Sequence, residues 1–359
     1  MASQLVPGSG LPEPPLISVV VPVYGIGDYL PECLNSLLGR PAEPQPAGPT
    51  IEVIAVDDAS PDGSGRILDA RAGLDPRLTV VHLATNAGPG NARNIGLARA
   101  TGRYVWFVDG DDLLPAGALA GVSARLARDQ PDVLLIDYEE RYPGGRIEPS
   151  PGGTLLRAAP AGTFSLADAP HLINLTMTSW SKLFRRDFLL ALDEPFRPGI
   201  HEDIPVTCAA LLAGRIGALG RVSYCYHRSR PGSFMATTST AHWGVFGAYE
   251  EVLDRLRKLA DSADPVATVA VQSALFERAI WHYGAVLEAG RLVPRADRAR
   301  FFERIHADFL QYRPGGYRMP RGARGIKFRL IERGAYQTYE LLEPVNRIRV
   351  AAGRRLRRR

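Results

Sequence analysis

The chain has 359 residues and a formal net charge of +5, with 45% hydrophobic and 23% charged residues. That is the balance of a folded globular protein with ample core for one large or two smaller domains, and no apolar run approaches the ~18 residues of a bilayer span. The charge is uneven: residues 321–359 hold 12 Lys/Arg against 3 Asp/Glu, and the other 320 residues hold 31 against 35, so the basicity belongs to the tail and argues against a specific nucleic-acid-binding body. Three isolated cysteines, Cys33, Cys208 and Cys225, make neither a disulfide framework nor a zinc spacing and favour a reducing compartment.

Residues 1–15 are rich in Pro and Gly, lack a basic start followed by an apolar block, and read as a flexible lead-in, not a signal peptide. Leu16 to Tyr24 is a first buried strand. Tyr29, Leu30, Cys33, Leu34, Leu37 and Leu38 then recur at helical spacing, with Asp28 as N-cap and Pro31 in the first turn. Four prolines across 39–50 predict a loop. Ile51 to Val56 is a second strand, ending in Asp57-Asp58-Ala59-Ser60, and a helix follows to about residue 72. Leu78 to Leu83 is a third strand, Asn86 to Gly90 a turn, and Asn91 to Ala100 a helix. The fourth strand, Tyr104 to Val108, stops abruptly in Asp109-Gly110-Asp111-Asp112.

Strand and helix alternate with short connections, which predicts a doubly wound, mostly parallel α/β sheet with helices on both faces. Three of the four strand ends carry polar or acidic clusters, and ligands of open α/β sheets bind outside that carboxyl edge. Three carboxylates in four positions repel one another, so the cluster is solvated, partly protonated or holding a cation. Oxygen-only ligands suit Mg²⁺ or Mn²⁺. Gly88-Pro89-Gly90 is no dinucleotide fingerprint, because Arg93 stands where close helix packing needs a small residue.

Further on, 116–128 reads as a helix, Val133 to Tyr138 as a strand and 141–163 as loop. Trp180-Ser181-Lys182-Leu183-Phe184 opens a second cluster, 187–192 is helical, and His201-Glu202-Asp203 leads into a helix over 204–213. Arg221 to Tyr226 is a strand followed by His227. From residue 240 onward the periodicity is helical, over 240–260, 265–289, 296–310 and 322–342.

Ile17 to Tyr24, Val56-Asp57-Asp58-Ala59-Ser60, Asn86-Ala87-Gly88 with Ala92-Arg93-Asn94-Ile95-Gly96, Asp109-Gly110-Asp111-Asp112, the Trp180 cluster, His201-Glu202-Asp203 and Tyr226 to Ser233 stand in order and at spacings that resemble the family-2 glycosyltransferases with the GT-A fold. The resemblance covers about 16–235, and the last third is similar, less specifically, to the segment that follows such domains in actinobacterial cell-surface polymer transferases. It implies a flexible 1–15, a GT-A domain over 16–235, a helical region over 236–320 and a basic tail over 321–359.

The resemblance also implies roles. Pro22, Val23 and Tyr24 would wall a nucleotide pocket, and Asp57 and Asp58 would accept from the base, Asp58 being the better match for a uracil contact. Alone, that pair suits an Asx-type turn as well. Asp109 and Asp111 would border the nucleotide, and Asp111 and Asp112 would hold Mg²⁺ or Mn²⁺. Arg93 would meet a phosphate or a carboxylate, or form a structural ion pair. Asp203 matches the base of an inverting transfer, with Glu202 orienting the acceptor or bracing the loop; by themselves the two better suit a helix cap. Trp180, Lys182 and His227 are candidate acceptor or phosphate contacts, or scaffold.

The implied reaction moves sugar from a nucleotide-diphosphate sugar, a UDP-sugar by the resemblance, to a glycan, wall-polymer or lipid-linked acceptor at the inner face of the cell membrane. Phe328, Ile331, Ala335, Tyr339 and Leu342 fall at helical spacing among basic residues, as in an amphipathic helix on an anionic membrane; a solvated tail is the other reading. Two rival classes remain. A sugar nucleotidyltransferase would carry a basic loop after the first strand, and Tyr24-Gly25-Ile26-Gly27-Asp28 has no Lys or Arg. A non-catalytic nucleotide-sugar-binding module is disfavoured by the intact Glu202-Asp203.

Overall fold

Apolar runs of strand length assemble the sheet. In a computed structural model describing residues 14–41, 50–228, 238–289 and 292–342, β1 (Ile17–Val23), β2 (Ile51–Asp57), β3 (Leu78–His82) and β4 (Tyr104–Phe107) run parallel in the order β3-β2-β1-β4. Helices α1 (Leu30–Leu38), α2 (Ser64–Ala72) and α3 (Pro89–Arg99) make the crossovers. Strand side chains alternate between faces. Val19, Val21 and Val23 of β1 therefore pack with α1 and with α4 (Ala118–Asp129), while Val20 joins the opposite core with Val105 and Phe107.

The parallel order then breaks. After β5 (Val133–Arg141) the chain returns as β7 (Lys182–Arg185), which inserts antiparallel between β4 and β5. β8 (Ile216–His227) pairs parallel with β5, with register shifts around Asp137. The mostly parallel α/β expectation holds, with β7 as an antiparallel member.

Some local expectations need correction. Residues 141–163 are not all loop: β6 (Ile147–Pro149) pairs back on β5 and α5 (Gly153–Arg157) follows. Gly144 and Gly145, at φ 83° and 82°, make the tight hairpin turn that periodicity does not reveal. Asp28 does not cap α1; Tyr29 occupies the N-cap position with no side-chain bond. The helix expected over 322–342 breaks after α11 (Gly322–Glu332), where Gly334 takes φ 65°, and helix resumes at 336.

The C-terminal helices α8 (Gly244–Asp261), α9 (Val269–Glu288) and α10 (Arg298–Tyr312) share one continuous core with the α3 face of the sheet. That core also takes most of the apolar face expected to meet a membrane, with Ala335 half-buried and Leu342 left 36% exposed. Phe328, Ile331 and Tyr339 are buried, Tyr339 packs 5.0 Å from Phe302, and Arg324 and Lys327 pair with Glu277 and Glu288 of α9. Their spacing marked a buried stripe, because any helix lying on a core shows the same period. Residues 1–13, 42–49, 229–233, the 235/236 boundary and 343–359 lie outside the described residues. Among the described residues, no helix is long and apolar enough to cross a membrane.

Candidate active site

Parallel strands deliver their carboxyl ends to one edge. Asp57 closes β2 in register with Val23 and His82. Its Oδ1 accepts from the Ser60 amide (3.0 Å), and its Oδ2 lies 2.9 Å from His82 Nδ1. His82 Nε2 reaches Asp69 of α2, also at 2.9 Å. Asp58 donates its amide to the Val23 carbonyl, and its buried carboxylate accepts from the amides of Ala87 (2.7 Å) and Gly88 (2.8 Å). Asp58 thus pins the turn that launches α3, and Asp57 closes an Asx-type turn on the same edge. Pro22 is half-buried, Val23 buried, and Tyr24 is 41% exposed just past the end of β1.

The acidic turn after β4 splits by burial. Asp112 is 1% exposed; its Oδ2 accepts from the Tyr224 hydroxyl (2.7 Å) and its Oδ1 from the His227 amide (2.7 Å). Burial pushes its carboxyl well above the usual carboxylate range, and Asp111 and Asp109 add to the shift. Two protein donors make Asp112 a brace between the turn and the end of β8. Asp111 is half-buried, and its carbonyl lies 2.6 Å from His227 Nδ1. That contact turns the ring so that Nε2 is the nitrogen left for another partner.

Arg93 joins this edge to the third cluster. It is 4% exposed in the first half of α3. One terminal nitrogen donates to Asp109 Oδ1 (2.9 Å); the other donates to Glu202 Oε1 (2.6 Å) and reaches Asp203 Oδ1 at 3.3 Å. Arg93 is thus paired with carboxylates, one of the readings open for it. These charges raise its guanidinium pKa further against the opposing effect of burial. Asp203 is the first residue of α7 (Asp203–Ala213), and its Oδ2 accepts from the Ser179 amide (3.0 Å). Burial, reinforced by Asp203 and opposed by Arg93, pushes the Glu202 carboxyl up to about 7.

The loop before α7 is clamped on α3. Asn94 bonds both the amide (3.0 Å) and the carbonyl (2.9 Å) of Phe196, as a strand neighbour would. Gly90 lies so close that an added Cβ would stand 2.4 Å from the Arg197 carbonyl oxygen. One helix therefore fixes the loop before α7 and, through Arg93, links it to the acidic turn.

Trp180 and Lys182 are both buried and engaged by the protein's own groups. The Trp180 ring is buried and stacks at 4.6 Å on Tyr224 and 5.2 Å on Tyr226. Lys182 is 1% exposed, and its ammonium donates to Thr176 O (2.7 Å), Thr178 O (2.9 Å) and Ser181 Oγ (3.0 Å). Three protons meet three acceptors inside the protein, although burial lowers the pKa to about 7. Lys182→Met should cost about 1–3 kcal/mol, the penalty for orphaned buried acceptors, and leave UDP affinity of the folded protein unchanged. A lowered UDP affinity by calorimetry would return Lys182 to the phosphate site.

Tyr224, Ser179 and His82 are partners that the motifs did not include, and Asn94 and His201 stood in the motifs without a role. A buried strand tyrosine gives no signal of the carboxylate it meets 112 residues away.

Residues 18–191 match the model of Glycosyl transferase family 2. These residues form a family-2 domain. Uncharacterized glycosyltransferase EpsJ of Bacillus subtilis (strain 168) is 31% identical over 226 residues, 61% of this chain and 62% of EpsJ. Poly(ribitol-phosphate) beta-N-acetylglucosaminyltransferase TarS of Staphylococcus aureus (strain MW2) is 33% identical over 225 residues, 61% of this chain and 37% of TarS. The match thus spans less than two thirds of either relative. The crystal structure of S. aureus TarS 1-349 with UDP-GlcNAc superposes with TM-score 0.69 at 24% identity, covering 92% of this chain and 91% of that one. This chain and TarS share the GT-A fold, and the likeness extends through the C-terminal helices.

Proposed function

We propose that the protein is an inverting glycosyltransferase that moves a sugar from a UDP-sugar to a hydroxyl of a cell-envelope glycan, wall polymer or lipid-linked acceptor. The observation that carries this reading is Arg93, which ties the acidic turn at the strand ends to Glu202 and Asp203 in one cluster. The uridine donor is supported by the TarS structure with UDP-GlcNAc, and the envelope acceptor by relatives named for poly(ribitol-phosphate) and teichuronic acid work.

In the proposed reaction Asp203 takes the proton of the acceptor hydroxyl. The acceptor oxygen forms the new bond to the anomeric carbon as the bond to the diphosphate oxygen breaks, and its electrons leave with UDP. Arg93 and the Ser179 amide hold Asp203 in one orientation. Glu202 braces the guanidinium from the acceptor side.

Among the described residues, no three His, Cys, Asp or Glu side chains converge as a preformed metal cage. Mg²⁺ is commonly held by one or two protein ligands completed by substrate phosphates, and Asp111 with His227 Nε2 offers such a partial set. When bound, Mg²⁺ or Mn²⁺ would neutralise charge on the departing diphosphate. UDP titrated calorimetrically should bind in the presence of Mn²⁺, and Asp111→Asn should weaken it by at least about tenfold. Equal UDP affinity with and without Mn²⁺ would remove the metal assignment.

An anionic membrane surface is the proposed further partner, at the inner face of the cell membrane. With Phe328, Ile331 and Tyr339 buried, it would be met by exposed Arg321, Arg329 and Arg333 and the cationic sequence 343–359, at ~1 kcal/mol per basic residue near lipid. Removing 343–359 should reduce flotation with phosphatidylserine vesicles; undiminished flotation counts against this partner.

A further inference from the structure

The residue immediately before Glu202-Asp203 is strained and buried in a setting that the chemistry above does not use. His201 takes φ 71°, in the left-handed region where a non-glycine residue is rare, and is 8% exposed. Its ring Nε2 is buried without a hydrogen-bond partner. Such a conformation persists only where surroundings over-determine it. Here they come from the C-terminal helices.

His242, in the short 3₁₀ turn before α8, is fully buried with its ring centroid 6.0 Å from that of His201. His282 of α9 stands edge-on to His201, with centroids 5.2 Å apart and planes at 87°. His282 is itself held, its Nδ1 lying 3.2 Å from the Tyr249 hydroxyl of α8. Three rings from three separate segments therefore meet two residues from the proposed base. The opposite side of the same loop is clamped by α3 through Asn94 and Arg93. The loop is gripped between the nucleotide-side helix and the C-terminal helices.

We propose that His201 is a positioning residue for Glu202 and Asp203, and that the C-terminal helices, through His242 and His282, form the wall that sets where the base stands. This rests on the reading of Asp203 as base. The left-handed turn at His201 reverses the chain so that residues 202 and 203 point back toward Arg93, and the ring wall keeps the turn from relaxing. Burial also holds His201 near 4 and His282 well below its ordinary value, so both rings are neutral beside the Arg93 cluster at physiological pH. The C-terminal region is then part of the catalytic apparatus and not an appendage.

The test uses the full chain, UDP release from the member of a UDP-glucose, UDP-galactose, UDP-GlcNAc and UDP-GalNAc panel that the wild type turns over, and UDP calorimetry with Mn²⁺. His282→Ala removes the α9 ring far from the donor edge. It should lower kcat by up to ~10²-fold, the cost of a misplaced reacting group, with donor KM and UDP affinity unchanged. His282→Phe, which restores a ring of similar size, should recover most of that loss. If His282→Ala does not fold, His201→Asn carries the same comparison, since Asn tolerates positive φ but leaves the wall without its ring contact. A kcat at the wild-type value in these variants, or a kcat loss matched by an equal loss of UDP affinity, overturns the positioning role. Asp203→Asn in the same assay separates the two ideas: if it turns over normally the base reading fails, whereas an inactive Asp203→Asn beside a fully active His282→Ala sinks only the histidine wall.

Discussion

Asp203→Asn should reduce transfer by about 10²–10⁴-fold, the usual worth of a positioned general base, while UDP binding stays within about twofold of wild type. An amide cannot take the acceptor proton, yet it keeps the size of the carboxylate. Both oxygens of Asp203 face donors, Arg93 on one side and the Ser179 amide on the other. The variant must turn its NH₂ toward one of them, so a stability loss of about 1–3 kcal/mol should accompany the kinetic effect. The two consequences are read separately, by UDP release and by thermal unfolding. Unchanged turnover in a folded Asp203→Asn would dismiss the base assignment.

Arg93→Met should be the most destabilising single change at this site, by about 3–5 kcal/mol, because it leaves Asp109, Glu202 and Asp203 facing one another without their shared cation. The pH dependence follows in sign. Glu202 has its folded carboxyl raised to about 7, above the ~4.3 of an exposed Glu, so the folded state holds the extra proton between those values. Its contribution to stability is full below the lower value and lost as pH rises through the upper one. Without Arg93 to favour the ionised form, the loss should deepen. Thermal unfolding of Arg93→Met should therefore show a larger deficit against wild type at pH 8 than at pH 5. Equal deficits would mean that the guanidinium does not govern these carboxylates. Arg93→Lys should rescue little, since an ammonium is a point charge and cannot place two separate nitrogens on opposite carboxylates.

Much of the site was legible because local chemistry and position coincided. Apolar runs ending in Asp57-Asp58 and Asp109-Gly110-Asp111-Asp112 identify strand ends, and alternation with helices makes those strands parallel. Hidden from view was how each polar group spends its bonds. Asp112 and Asp111 are adjacent and chemically identical, yet one braces Tyr224 and the His227 amide and the other does not. Lys182 reads as a phosphate ligand by type and as a loop clasp by its three acceptors. The helical spacing of Phe328, Ile331 and Tyr339 was real, but the same stripe fits a lipid surface and a neighbouring helix.

The order of strands and helices, the edge that carries the acidic residues and the family all follow from the residues read along the chain, since hydrophobic period and motif spacing are local properties. The pairing of Arg93 with Asp109, Glu202 and Asp203, the inward turn of Asp112 and the histidine wall behind His201 belong to the folded molecule alone. They join positions tens to more than a hundred residues apart. Which of several equivalent carboxylates or nitrogens is desolvated and bonded is decided by packing in three dimensions, where burial makes each unmet polar group costly and so forces a single arrangement.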